Sequence, residues 1–146
     1  MRDNLSKEKT TLTKIAVAMA NEFEEVHLVY LHGSLLKGLA REDSDIDLAV
    51  VVDRDKKNDF LRQQLLYNEF FDLRFKNREV DLKVINAAPL PFKFSVVQKG
   101  EVLFSRSEKF RVDFEVDVIK KYLDFKYYYD SYNDFFIKKL AEEGRF

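Results

Sequence analysis

The sequence contains no cysteine among its 146 residues. Disulfide bonds and thiolate metal sites are therefore excluded, and a reducing cytoplasm fits this composition. The chain also lacks an excess of basic over acidic residues, because it has 25 Lys and Arg and 26 Asp and Glu. Proteins that coat DNA or RNA show a strong basic excess, so we expect no direct nucleic-acid binding.

Long apolar runs are absent as well. No run approaches the roughly 20 residues of a membrane-spanning helix, and the first fourteen residues are too polar for a signal peptide. We therefore expect a soluble, cytoplasmic protein without membrane contact. A composition of 46% hydrophobic residues is typical of a globular chain. The length predicts one domain over residues 1–146, with a core at about 1–106 and a C-terminal helical segment at about 107–146.

The periodicity of the apolar residues predicts an α/β fold, with a small mixed sheet flanked by helices. Helices are predicted over the first twenty-odd residues and over about 57–73, 92–98 and 108–142, the last as one long helix or two with a kink. Strands are predicted at 26–32 and at about 45–53, 79–86 and 102–104. Two neighbouring apolar stripes run along the last helical segment. The first consists of Phe110, Phe114, Val118, Tyr122, Phe125, Tyr129, Tyr132, Phe136 and Leu140, and the second of Val112, Val116, Ile119, Leu123 and Tyr127. We expect the first stripe to pack within the domain and the second to be covered, by the core or by a partner.

The segment from Leu31 to Val50 carries the strongest functional pattern. Gly33 and Ser34 follow a buried strand, and such a turn directs backbone N–H groups and a hydroxyl at an anion. Asp45 and Asp47 occupy alternate positions of the next strand, so both carboxylates face one side. Two carboxylates on one face can hold hard divalent cations beside a phosphate.

Simpler interpretations exist for each of these residues. Ser34 alone could be a helix cap, but a cap does not predict the distal carboxylates. Aspartate is disfavoured in strands, so the presence of both Asp45 and Asp47 on one face of a strand indicates a functional role. Asp81 lies on the polar side of the third strand and reaches the same face if strands two and three pair; alternatively it is part of a charged strand face. His32 is interpreted as structural, because nothing at metal-ligand spacing accompanies it.

The order Gly-Ser, short helix, Asp-x-Asp resembles the signature of the DNA polymerase β-like nucleotidyltransferases. Their smallest members, the minimal nucleotidyltransferase (MNT) proteins, usually read Gly-Ser-x-Ala-Arg-Gly and Ser-Asp-Ile-Asp-Leu. This chain matches at Gly33–Gly38 and Ser44–Leu48, with Leu and Lys in place of Ala and Arg. A later Val-Asp-Leu-x-x-Leu-Asn-x-Ala-Pro pattern is matched by Val80–Pro89. The likeness covers about residues 26–136.

The resemblance implies a nucleotidyltransferase fold and Mg²⁺-dependent nucleotidyl transfer, with ATP as the expected substrate. In that family pattern Asp45 and Asp47 bridge two Mg²⁺ ions. Asp81 completes the metal site and helps to deprotonate the acceptor hydroxyl. Gly33, Ser34 and Lys37 are implied to bind the nucleotide. A lysine at position 37 retains the positive charge but lacks the two-pronged grip of arginine on phosphate.

The resemblance also implies a partner. MNT proteins of this size resemble the antitoxin half of toxin–antitoxin pairs, whose partner is an HEPN-domain ribonuclease. This chain is therefore expected to transfer AMP to a tyrosine of such a toxin and to form a hetero-oligomer with it. Two alternatives remain open: an antibiotic-modifying nucleotidyltransferase, and a non-catalytic module that neutralises the toxin by binding.

Overall fold

The computed structural model of the protein describes residues 2–33 and 45–144, with side chains from residue 6 onward. Its elements in these ranges are α1 (Arg2–Glu22), β1 (Val26–His32), β2 (Ile46–Val52), α2 (Phe60–Arg74), β3 (Val80–Val84), α3 (Leu90–Lys99), β4 (Glu101–Ser105) and α4 (Glu108–Glu142). Each helix and strand predicted within these ranges is present, with ends shifted by a few residues at most. The long C-terminal segment is a single helix.

The four strands form one mixed sheet in the order β3-β2-β1-β4. β1 pairs antiparallel with both β2 and β4, whereas β2 pairs parallel with β3. The parallel pair requires a crossover, which α2 supplies. The predicted α/β fold with a small mixed sheet is confirmed.

Apolar residues cover the two faces of the sheet to different extents. On one face α1 and α2 pack against Val29 and Leu31 of β1 and against the alternate apolar residues of β2 and β3, which are Ile46, Leu48, Val50, Val52, Val80, Leu82 and Val84. On the other face α3 and the first turns of α4 cover a smaller cluster around Tyr30, Ala49 and Val51. This second cluster stops short of the end of β2 that carries Asp47. One end of this face is therefore free of a covering helix in the described part of the chain.

Side chains of α2 cover the outer edge of β3. The Leu82 N–H donates to Asn68 Oδ1 at 2.9 Å, and Asn68 Nδ2 donates to the Leu82 carbonyl at 2.8 Å. The Val84 N–H donates to Gln64 Oε1 at 3.0 Å. An unpaired strand edge is a template for unwanted strand addition, and these side-chain amides replace the missing neighbouring strand.

The apolar stripe of α4 packs only along its first turns. Val118 is buried, and the Tyr122 ring stacks on Phe94 with 3.9 Å between centroids. The following members of the stripe are exposed: Phe125 47%, Tyr129 57%, Tyr132 66% and Phe136 47%. We call these four residues the distal aromatic stripe. The expectation that the whole first stripe packs within the domain is therefore wrong, because α4 continues beyond the elements that could cover it.

None of the described helices contains a segment long and apolar enough to cross a membrane.

Replacing Asn68 should destabilise the fold through the edge of β3. Asn68→Ala removes both hydrogen bonds to Leu82 and should cost about 1–3 kcal/mol, the penalty for leaving polar groups unpaired. Urea unfolding followed by circular dichroism measures this loss. Glu69→Ala, on the exposed side of the same helix, is the control. Equal unfolding free energies for the two variants would show that the Asn68 hydrogen bonds do not stabilise the edge of β3.

Candidate active site

Three polar side chains lie side by side on neighbouring strands at one end of the sheet. Asp47 on β2 lies opposite His32 on antiparallel β1 and opposite Asp81 on parallel β3. Residues paired across neighbouring strands point to the same face. The register therefore brings Asp81 to the face of Asp47, as the alternation in the third strand predicts.

Asp45 lies at the border of this group. It immediately precedes β2 and is exposed. The Ile46 N–H donates to the carbonyl of Glu79 at 2.8 Å, which ties the start of β2 to β3. Within residues 2–33 and 45–144, no three His, Asp or Glu side chains are grouped closely enough to hold a metal ion. The described part of the site thus offers the pair Asp47 and Asp81, with Asp45 beside it.

The donor chemistry of this pair fits Mg²⁺. Proteins usually bind Mg²⁺ through one or two carboxylates, while waters and substrate phosphates occupy its other positions. Two like charges directly opposite each other on adjacent strands also repel, which favours a cation between them. Lys83 provides a partial counter-charge, since its Nζ lies 3.8 Å from Asp81 Oδ2. Both side chains are about half exposed, so this ion pair is weak.

Burial shifts the pKa values of Asp47 and His32, which pair across β1 and β2. It raises the pKa of Asp47 above its ordinary value, and the carboxylates of Asp81 and Asp45 add to the rise, while His32 and Lys83 oppose it. Burial lowers the pKa of His32, although Asp47 opposes this change. The imidazole is therefore neutral near pH 7 and does not neutralise Asp47. Its Nε2 is buried and has no hydrogen-bond partner among the described residues.

Gly33 directly follows the last residue of β1, and its backbone lies against the Asp47 side chain. Its φ of +90° lies in the region that side chains rarely adopt. A Cβ at this position would overlap Asp47 Oδ2 and would lie only 3.2 Å from the Asp47 Cβ. The missing side chain therefore lets the backbone leave β1 directly against the carboxylate. Ser34 and Lys37, the other two predicted nucleotide contacts, lie outside the described residues, and their roles stay predictions.

Three residues that the sequence alone does not single out lie beside the carboxylates. The sequence indicates a structural role for His32, a place on a charged strand face for Lys83 and a helix start for Phe92. The Phe92 ring meets the His32 ring edge-on at 5.5 Å, and Lys83 Nζ lies 5.7 Å from the Phe92 centroid. Strand alternation can assign His32 and Lys83 to a face, but only the pairing shows that this is the face of Asp47.

Similarity to a known protein family covers most of the chain. The profile of the family described as "Polymerase beta, Nucleotidyltransferase" matches residues 13–109. A search of the curated proteins finds no significant match.

Several solved structures share the fold. A chain of a toxin–antitoxin complex with AMP-PNP superposes with a TM-score of 0.68 at 21% identity, covering 84% of this chain and 95% of that one. A chain of the complex between a tri-AMPylated HEPN toxin of Shewanella oneidensis and its MNT antitoxin superposes with a TM-score of 0.63 at 19% identity, covering 89% and 96%. A chain of the MntA–HepT toxin–antitoxin complex gives 0.62 at 19% identity, covering 88% and 96%. The predicted nucleotidyltransferase fold is confirmed.

Gly33→Ala should lower the free energy of unfolding by more than the strain of the positive φ alone would cost. The variant should lose about 1–3 kcal/mol from the strained positive φ, with a further loss from displacement of Asp47. Gly144→Ala is the matched control, because Gly144 also has a positive φ of +67° but no atom within 4 Å of the place where its Cβ would lie. Chemical unfolding of both variants, each with and without Asp47→Ala, measures the coupling. Additive effects of Gly33→Ala and Asp47→Ala would argue against the contact.

Proposed function

This chain belongs to the polymerase beta nucleotidyltransferase family, and on that premise we propose that it transfers AMP from ATP to a tyrosine of an HEPN-domain toxin. It would thereby act as the antitoxin of a toxin–antitoxin pair. The observation that carries the proposal is the placement of Asp47 directly opposite Asp81, on the sheet face that α3 and α4 cover only in part among the described residues. A pair of carboxylates at that place suits the family's chemistry and has no evident structural use.

The choice of nucleotide and acceptor is supported by the proteins that share the fold. One toxin–antitoxin complex contains the ATP analogue AMP-PNP. Another contains a tri-AMPylated HEPN toxin together with an MNT antitoxin. A protein acceptor also suits a chain whose long helix exposes an aromatic stripe.

In the proposed reaction the tyrosine oxygen forms a bond to the α-phosphorus of ATP. The bond from the α-phosphorus to the bridging oxygen of the β-phosphate breaks, and pyrophosphate leaves. Asp47 and Asp45 would hold Mg²⁺ together with Asp81, and the metal supplies neutralisation of the triphosphate charge. Asp81 is half exposed at the β3 side, where its carboxylate can accept the proton of the acceptor hydroxyl. Gly33 allows close approach of the triphosphate, and Ser34 and Lys37 would contact its tail.

The distal aromatic stripe is the proposed docking surface for the toxin. Its four rings lie along one side of α4 and form two stacked pairs: Phe125 with Tyr129 at 5.9 Å and Tyr132 with Phe136 at 6.2 Å. Exposed apolar patches of this kind mark interaction sites, and tyrosine and phenylalanine are enriched at the centres of interfaces. The stripe continues the packed face of α4, so a partner there would extend the domain's own core.

Labelled ATP tests the proposal directly. The purified chain, ATP carrying label at the α-phosphorus, Mg²⁺ and an HEPN-domain toxin should together yield a toxin labelled on tyrosine. A complex that forms without label transfer would indicate neutralisation by binding alone. Label found on an aminoglycoside acceptor but not on the toxin would indicate an antibiotic-modifying enzyme.

Asp47→Asn should abolish transfer while leaving the fold intact. The amide keeps the side-chain volume but loses the charge that Mg²⁺ requires. Because burial raises the pKa of Asp47, its charge lowers the stability at neutral pH, so the neutral variant should unfold at the same or higher urea concentration. Asp72→Asn, an exposed position on α2, is the control. Near-wild-type turnover in Asp47→Asn would remove the site assignment.

Tyr132→Asp should weaken the toxin complex without changing ATP affinity. The residue is exposed, so the charge costs little in the isolated chain but would be buried at an interface. Ser131→Asp adds the same charge at the neighbouring exposed position of α4, outside the distal aromatic stripe, and serves as the control. Calorimetry with toxin and with ATP measures the two affinities. Unchanged toxin binding by Tyr132→Asp would exclude this surface, and a homodimer lost only in Tyr132→Asp would assign the stripe to a second copy of this chain.

A further inference from the structure

A small pocket lies at the outer edge of the sheet, and one of its lining residues, Lys83, is the neighbour of Asp81. It has a volume of about 320 Å³ and lies beside the end of β3, between the first halves of α2 and α3. Five of its seven lining residues are apolar, and the two polar ones are Gln64 and Lys83. The lining residues are Gln64, Lys83, Val84, Ile85, Ala88, Pro89 and Phe92. The pocket thus offers an apolar cavity with a cation at its side.

Two lining residues connect this pocket to the proposed reaction centre. Lys83 lies beside both Asp81 and the Phe92 ring. Phe92 contacts His32, which pairs with Asp47. Because Lys83 and Val84 of β3 line the pocket, it lies on the β3 side of Asp47, whereas Gly33 follows β1 and approaches Asp47 from there. In the strand order β3-β2-β1, Gly33 and the pocket therefore lie on either side of the strand that carries Asp47.

In an in-line transfer, the acceptor oxygen and the departing pyrophosphate lie on opposite sides of the phosphorus. The attacking and leaving oxygens lie roughly opposite each other across the phosphorus in phosphoryl-type transfers. If the triphosphate tail leaves from the Gly33 side, the acceptor oxygen must approach from the β3 side, where the pocket opens. The pocket is then placed to receive the acceptor and not the departing pyrophosphate.

Resting on the proposed function, we propose that this pocket is the acceptor subsite, which holds the phenol ring of the toxin tyrosine against Phe92 with its oxygen beside Lys83. Aromatic rings prefer offset or edge-on contacts with other rings, which Phe92 can supply. The ammonium group of Lys83 stabilises the negative charge that develops on the phenol oxygen. The O–H bond breaks with transfer of the proton to Asp81, the oxygen bonds to the α-phosphorus, and pyrophosphate carries away the bridging oxygen. The rings that carry sugar hydroxyls are polar, so they suit this apolar pocket less well than a phenol ring does.

Conservative variants separate this subsite from nucleotide binding. Lys83→Met keeps the alkyl chain but removes the charge, and Phe92→Leu keeps an apolar side chain but removes the ring. Each should lower kcat/KM for toxin AMPylation by about 100-fold, with the Kd for ATP unchanged. Lys83→Arg should restore most of the rate. Lys99→Met on α3 and Phe104→Leu on β4, at the opposite edge of the sheet, are the controls and should retain normal transfer.

Three results would overturn the assignment. A parallel loss of ATP affinity would show that the pocket holds the nucleoside. Normal transfer by both Lys83→Met and Phe92→Leu would show that the acceptor binds elsewhere, with the proposed function intact. A wild-type chain that binds ATP but modifies no tyrosine would refute the proposed function, and the subsite with it.

Discussion

The parallel pairing of β2 with β3 is the constraint on which the site depends. Its register sets Asp47 opposite Asp81 and Leu48 opposite Leu82. Since strand side chains alternate, a slip of one residue would turn Asp81 into the core and Leu82 to the surface. The α2 side chains that bond to Leu82 and Val84 hold β3 at this register. The crossover helix therefore both permits the parallel pair and fixes its alignment.

The same register imposes an electrostatic cost on the fold. Two carboxylates face each other, partial burial raises the pKa of Asp47, and burial lowers the pKa of the neighbouring His32 imidazole. Only Lys83 supplies a positive charge within the described part of the group. Such an arrangement is unfavourable for stability alone, and perturbed carboxylates of this kind are typical of functional sites. A bound divalent cation would relieve it.

α4 combines two roles along one continuous stripe. Its first turns complete the core over Tyr30 and Val51, where Tyr30 Oη donates to Glu115 at 2.9 Å. Its later turns present the same periodic pattern to solvent. The helix changes from core element to exposed surface because the sheet and α3 end, and not because its sequence changes. The sequence therefore predicts an apolar helix face, but it does not show whether another part of the protein packs against that face.

Local sequence is sufficient to define the elements and the faces of their residues. The bounds of β1, the alternation that sets Asp47 apart from Ile46 and Leu48, and the helical stripes all follow from local periodicity, which is a property of a single segment. Which faces meet is settled only by the tertiary fold. Hydrogen-bond register and helix packing join residues that are distant in the chain. The pairing of Asp47 with His32, the contact of Phe92 with His32 and the exposure of the distal aromatic stripe therefore have no signature in the spacing of residues along the sequence.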